Sequence, residues 1–112
     1  ESNSCDYCLS AHTYIGANLV RVDTATLHES RNGNAADSKT EASLKFAKVK
    51  KKKKGRVNDA DVEAVKAAGI TEGQVGEIVG HVALNVLTNY FNNTAKTEID
   101  FPVVSAQEVA VV

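Results

Sequence analysis

The sequence predicts an all-α fold, and three observations lead to this prediction. Helix-capping residues precede five segments whose apolar residues recur at the helical spacing of three and four. A single Pro occurs among 112 residues, and strand-like alternation is absent outside the C-terminal tail. At 43% hydrophobic and 24% charged residues, the composition excludes a disordered or fibrous chain. The length suits one helical domain over residues 1–102, followed by a short tail over residues 103–112.

The first predicted helix begins at Asn3 or Ser4, which are both good capping residues, and continues to about Leu19. The residues on one face of this helix are Cys5, Cys8, Leu9, His12, Ile15 and Leu19. Because the two thiols and the imidazole share that face, this helix carries the main candidate for chemistry.

The second and third helices are defined by their caps and their stops. The second covers about Thr24 to Arg31, with Asp23 as its cap and Gly33 just beyond its end. The third opens with the capping-box pattern Ser38-Lys39-Thr40-Glu41 and continues through a lysine run to Gly55.

The fourth and fifth helices carry the clearest signals. Asn58 caps the fourth helix, and Gly69 provides a left-handed stop after which Ile70 packs back on the helix. The fifth helix begins at Thr71, with Gln74 three residues later in the capping-box position.

The fifth helix is apolar on most sides, so we expect it to be buried in its own domain or against a partner chain. His81 lies among apolar residues and is interpreted as a hydrogen-bonded core histidine. Asn85, Asn89 and Asn92 form a polar stripe. We expect hydrogen bonds between helices or subunits along it, because an unpaired buried amide costs about 1–3 kcal/mol.

Charge is distributed unevenly along the chain. Eight basic residues lie between Lys45 and Arg56 without any acid, which leaves a net charge of −9 on the rest of the chain. A basic run favours phosphate binding, but no aromatic residue interleaves Lys50 to Lys54, so we interpret it as a solvated helix end and expect no nucleic-acid partner. No stretch approaches the ~20 apolar residues of a membrane span, so no membrane partner is expected.

The concentrated chemical signal is Cys5-Asp6-Tyr7-Cys8, followed by His12. In the first turns of a helix, the positive end of the helix dipole favours thiolate over thiol. A neighbouring imidazole can accept a thiol proton, directly or through water. This arrangement suits thiol redox chemistry, and the side chain of Asp6 is expected to point away from that face.

Two other interpretations of the cysteine pair remain open. Both cysteines can be small buried hydrophobic residues beside a core histidine. A zinc site would need a fourth ligand, such as His81 or His28, from elsewhere in the chain. We predict that the protein binds no metal ion and no cofactor. A thioredoxin fold is excluded, because the chain lacks the βαβ pattern in which that motif occurs.

The segment Cys5-Asp6-Tyr7-Cys8-Leu9-Ser10-Ala11-His12-Thr13 resembles the core of the alkylhydroperoxidase D-like branch of the carboxymuconolactone decarboxylase superfamily. The later stretches around Asn58-Asp59-Ala60-Asp61, Ala68-Gly69-Ile70 and Asn89-Tyr90-Phe91-Asn92 resemble the same family, over most of residues 3–102. The resemblance implies an all-helical domain, association as a dimer, trimer or hexamer, and reduction of hydroperoxides through the cysteine pair.

Carried over from this resemblance, Cys8 is the peroxidatic cysteine, Cys5 is the resolving cysteine, and His12 belongs to the proton relay. The resulting disulfide would be reduced by a dithiol donor of a lipoyl-like or thioredoxin-like kind. Position in the helix dipole alone would instead favour Cys5 as the more acidic thiol.

One part of the family pattern has no counterpart in this sequence. The family relay includes a Glu about a dozen residues before the first cysteine, whereas this chain begins four residues before Cys5, and Glu1 is too close. The absence of any Met also indicates a processed start, so we expect a missing N-terminal segment that would hold this residue.

The sequence is compatible with three functions. The leading hypothesis is an antioxidant thiol peroxidase that works in a reducing, cytoplasmic compartment, where an exposed pair cycles. The second is a carboxymuconolactone decarboxylase-type lyase, a branch that does not depend on a cysteine pair. The third is a non-catalytic helical oligomer with vestigial thiols.

Overall fold

The computed structural model describes residues 1–107, and this part of the chain contains five α-helices. They are α1 (Asp6–Asn18), α2 (Thr24–Asn32), α3 (Ser38–Lys52), α4 (Asp59–Ala67) and α5 (Glu72–Ala95). No strand occurs among these residues, so the predicted all-α fold with about five helices is confirmed. The end of the predicted tail, residues 108–112, lies outside the described residues.

Two caps form as the sequence predicts. Asn58 Oδ1 accepts the Asp61 N–H at 2.8 Å, and the Asp61 carboxylate accepts the Asn58 N–H at 3.1 Å, which completes a capping box at the start of α4. Thr71 and Gln74 form the equivalent reciprocal pair at the start of α5, with bonds of 3.0 and 3.1 Å. Each pair satisfies two backbone N–H groups that the helix itself leaves without partners.

Two other caps differ from the prediction. Cys5 rather than Asn3 or Ser4 is the N-cap of α1, because the Asn3 side chain is engaged elsewhere and Ser4 adopts a positive φ of 50°. Asp37 rather than Ser38 caps α3, and its carboxylate accepts the Thr40 N–H at 2.7 Å. A charged acceptor bonds the positive helix start more strongly than a hydroxyl does.

The chain divides into two compact units, of which one is the continuous segment of residues 29–84. Its core is Phe46, Val65 and Ile70, each 3% exposed. Gly69 adopts a φ of 93°, and the Ile70 N–H donates to the Val65 carbonyl at 3.1 Å, so the predicted left-handed stop folds the chain back onto α4. Around the core lie Ala42, Val57, Val62, Val75 and Ile78.

Among the described residues, the second unit combines residues 1–28 with residues 85–107. The Phe101 ring packs against Tyr7 and Tyr14 of α1, with centroid distances of 6.0 and 5.6 Å. The described tail continues along α1 of the same chain, where Ser10 bonds the backbone of Val104. Three backbone N–H groups of the tail, those of Val104, Ala106 and Gln107, thus donate to side chains near the start of the same chain.

Part of the apolar surface of α5 is exposed. Leu87 and Phe91 are 66% and 67% exposed. These two residues are therefore not buried within their own domain. His81 is also exposed, so its interpretation as a core histidine was wrong, and it lines a shallow depression with Lys39 and Glu77. No helix among the described residues is long and apolar enough to cross a membrane.

Candidate functional site

Cys5 and Cys8 form a disulfide across the first turn of α1. Cys5 is the N-cap and Cys8 lies three residues later, with a Cα–Cα distance of 5.3 Å. The sequence folds this way because an extended N-cap (φ −100°, ψ 94°) directs the Cys5 side chain back over the turn. A disulfide at Cys-x-x-Cys spacing at a helix start fits a redox-active pair.

The Cys5 sulfur lies at the positive end of α1. Cys5 is only 2% exposed, and its Sγ accepts the Cys8 backbone N–H at 3.2 Å. A backbone donor and the helix dipole both stabilise negative charge at this position. The structure therefore gives Cys5 the place at the start of the helix dipole that the sequence predicts.

The Cys8 sulfur lies beside α5. Cys8 is 8% exposed, and its Sγ accepts an N–H from the Asn92 side chain at 3.5 Å. The same sulfur is 4.0 Å from the Thr88 carbonyl oxygen, to which Asn92 also donates at 2.9 Å. The sequence had placed Asn92 in the polar stripe of α5 without assigning it to the site. Its spacing from Asn85 and Asn89 was the available signal.

Asn89 of the stripe and the neighbouring Asn93 hold the segment that precedes α1. The Asn3 amide donates to Asn89 Oδ1 at 2.8 Å, and the Asn93 amide donates to the Asn3 carbonyl at 3.0 Å. Asn89 is buried, so its hydrogen bond offsets the cost of removing its amide from water. The prediction of hydrogen bonds between helices along this face is confirmed at Asn92, which donates to Cys8 of α1, whereas Asn89 bonds the segment before α1. The bonds to Asn3 fix the backbone that leads into Cys5.

His12 lies one turn beyond Cys8 and is exposed. No hydrogen bond joins its imidazole to either sulfur or to another described residue. Four residues advance a helix by slightly more than one turn, which carries His12 past the sulfur toward solvent. The structure thus brings the two cysteines together and leaves His12 one turn away, where contact with the sulfur would need a water molecule.

Asp6 lies between the two cysteines in sequence, but its carboxylate is bonded to the tail. The Asp6 carboxylate accepts the Ala106 N–H at 2.8 Å, so its side chain points to the tail, as the sequence predicted. Among residues 1–107, no cluster of three or more His, Cys, Asp or Glu side chains has an arrangement suited to a metal ion.

The lysine run at the end of α3 makes a few local contacts. Lys53 Nζ lies 2.6 Å from the Asp61 carboxylate, which holds the pKa of Asp61 below its usual value. Lys50 Nζ lies 5.5 Å from the centroid of the Phe46 ring. Such contacts are those of a charged helix end in water, where an ion pair contributes little.

The chain matches no protein-family model, no curated protein and no solved structure.

Proposed function

We propose that the protein is a thiol oxidoreductase that reduces hydroperoxides through Cys5 and Cys8, in the manner of the alkylhydroperoxidase D-like proteins it resembles. The observation that carries this proposal is the Cys5–Cys8 disulfide at the start of α1. A hydrogen-bond donor faces each sulfur, so a negative charge on either one is stabilised after the disulfide is reduced.

The reaction balances in three steps. A Cys8 thiolate attacks one peroxide oxygen, the O–O bond breaks, and the departing alkoxide takes a proton to leave as an alcohol. The resulting Cys8 sulfenic acid condenses with the Cys5 thiol, which forms the disulfide and releases water. A dithiol donor then reduces this disulfide by two exchanges and becomes a disulfide itself. His12, through water, is the proposed carrier of the proton.

The partners and location follow from the same proposal. The substrate is a hydroperoxide, the reductant is a lipoyl-like or thioredoxin-like dithiol, and the compartment is a reducing, cytoplasmic one. A homo-oligomer is supported by the exposed Leu87 and Phe91 of α5, because exposed large apolar side chains on one helix favour association.

The test measures the consumption of peroxide and the mass of the intact protein. The protein is reduced with a dithiol, separated from it and mixed with one equivalent of hydroperoxide. The expected results are loss of peroxide and loss of about two mass units in the intact protein under non-reducing conditions. Added dithiol should reverse the mass change. Thiols that leave the peroxide intact would overturn the proposal.

Single-cysteine variants assign the two sulfurs. Cys5→Ser should still consume one equivalent of peroxide and should accumulate a sulfenic acid at Cys8, which a dimedone-type probe traps. Cys8→Ser should consume none. The reverse result would transfer the peroxidatic role to Cys5, which the helix dipole favours.

A non-catalytic role is the second candidate, and the burial of both half-cystines favours it. A thiol exchanges only when its partner reaches the sulfur, and these residues are 2% and 8% exposed. A pair with a purely structural role would resist reduction by a dithiol in the folded protein. Rapid reduction without unfolding would exclude this candidate.

A further inference from the structure

The side-chain amide of Asn92 donates two hydrogen bonds at the end of α5. One goes to the Thr88 carbonyl oxygen at 2.9 Å and the other to Cys8 Sγ at 3.5 Å. A backbone carbonyl can only accept, so the NH₂ group of the amide must be the end that faces Thr88. The same NH₂ group then directs its second hydrogen at the sulfur.

The strength of the Asn92–Cys8 contact depends on the charge of the sulfur. A neutral disulfide sulfur is a weak acceptor, whereas a hydrogen bond to an ionised acceptor is roughly twice as strong as one between neutral groups. Cys8 is 8% exposed, so little water is available to stabilise a thiolate there in place of the amide. The contact therefore stabilises the charged, reduced form of Cys8 more than the oxidised one.

We propose that Asn92 is a positioning residue that holds the Cys8 sulfur as a thiolate in the reduced protein. This inference rests on the proposed function, in which that thiolate attacks the peroxide. It gives Cys8 a donor from another helix, whereas the donor to Cys5 is the backbone of α1 itself. Cys8 reactivity is then set by α5 as well as by its place in the first turn of α1.

The test measures the ionisation of Cys8 alone, in a Cys5→Ser background. The rate of alkylation by iodoacetamide is followed against pH, because only the thiolate reacts. Asn92→Ala removes the donor and should move the midpoint to higher pH. Asn92→Asp keeps the shape, removes the donor and adds a negative charge, so it should move the midpoint further. A rise of one pH unit corresponds to an approximately tenfold lower alkylation rate at pH values below the midpoint.

The neighbouring amide provides the control. Asn93 donates to the Asn3 carbonyl and not to a sulfur. Asn93→Ala and Asn93→Asp should leave the midpoint close to that of the parent protein. A purely structural role for Asn92 would not produce the order parent, Ala, Asp in the midpoint. Because Asn92→Asp preserves the side-chain shape, it remains informative if the Ala variant fails to fold.

Two results would overturn the inference. One is an unchanged midpoint in folded Asn92→Ala and Asn92→Asp. The other is an equal shift in Asn93→Asp, which would show a general effect of charge. Alkylation involves no peroxide, so an Asn92-dependent midpoint without peroxide consumption would refute the proposed function alone. Peroxide turnover with an unmoved midpoint would refute the role of Asn92 alone.

Discussion

Ser10 and Val104 exchange two hydrogen bonds in opposite directions. The Val104 N–H donates to Ser10 Oγ at 2.8 Å, and the Ser10 hydroxyl donates to the Val104 carbonyl at 3.2 Å. Ser10 is fully buried. One side chain of α1 thus replaces the backbone pairing that a strand would give to the tail.

Ser10→Ala should loosen the tail, because both backbone groups of Val104 lose their partner. We expect a loss of about 1–3 kcal/mol in the free energy of unfolding, together with faster amide exchange at Val104. Urea unfolding and hydrogen exchange measure the two effects. Ser43→Ala is the control, since the Ser43 hydroxyl only donates to the Lys39 carbonyl within α3. Equal effects in both variants would contradict the importance of the Ser10 bridge.

Two phenylalanines provide a test of the core. Phe46→Ala should destabilise the protein by about 3–5 kcal/mol, since it empties the centre of the cluster with Val65 and Ile70. Phe91→Ala, at a residue 67% exposed, should change the free energy of unfolding much less at low protein concentration. Denaturant unfolding measures both. If Phe91→Ala weakens association in sedimentation experiments, the exposed part of α5 is a subunit contact.

The stability of α3 should depend on pH through Asp37. The Thr40 hydroxyl and the Thr40 backbone N–H both donate to this carboxyl and lower its pKa, and the hydroxyl has the larger effect. A lowered folded-state pKa means that the stabilisation is present above the unfolded value of about 3.9 and is lost as pH falls through the folded value. Asp37→Asn should keep the cap and lose this pH dependence. Thermal unfolding between about pH 2 and 6 tests the difference, and identical acid profiles would contradict the prediction.

His12→Ala tests the proton relay directly. If the imidazole accepts the Cys8 proton through water, its removal should slow peroxide reduction by roughly 100-fold and raise the pH midpoint of Cys8 alkylation. His28→Ala is a matched control, because His28 is another exposed histidine on a helix. An unchanged alkylation profile in His12→Ala would exclude His12 from the relay. Because the His12 side chain is exposed, its removal leaves the packing of the protein intact.

The sequence predicted local features of the fold better than it predicted contacts between distant segments. Asn58, Thr71 and Gly69 act within a few residues of themselves, so the patterns around them were sufficient. The cap of α1 was misplaced because Asn3 is recruited by α5, a contact across 86 positions that no local pattern contains.

In the candidate site, too, the local pairing was predicted and the contact between distant segments was not. The pairing of Cys5 with Cys8 follows from their spacing, and the structure contains that pair. The amide that faces Cys8 comes from 84 positions away. Helical periodicity could place Asn92 on a stripe, but not opposite a particular sulfur. The exposure of His81 was missed for a related reason, since apolar neighbours in sequence do not ensure a covering segment in space.

The unit built from both ends of the chain has a consequence for the order of events during synthesis. Residues 29–84 are continuous and can fold as soon as they have emerged, whereas the unit that contains α1 is incomplete until residues 85–107 are made. Closing so long a loop is entropically costly, which places the formation of this unit last. Cys5 and Cys8 are therefore synthesised well before the residues that complete their unit. During that interval, the surrounding redox conditions rather than the fold govern their chemistry.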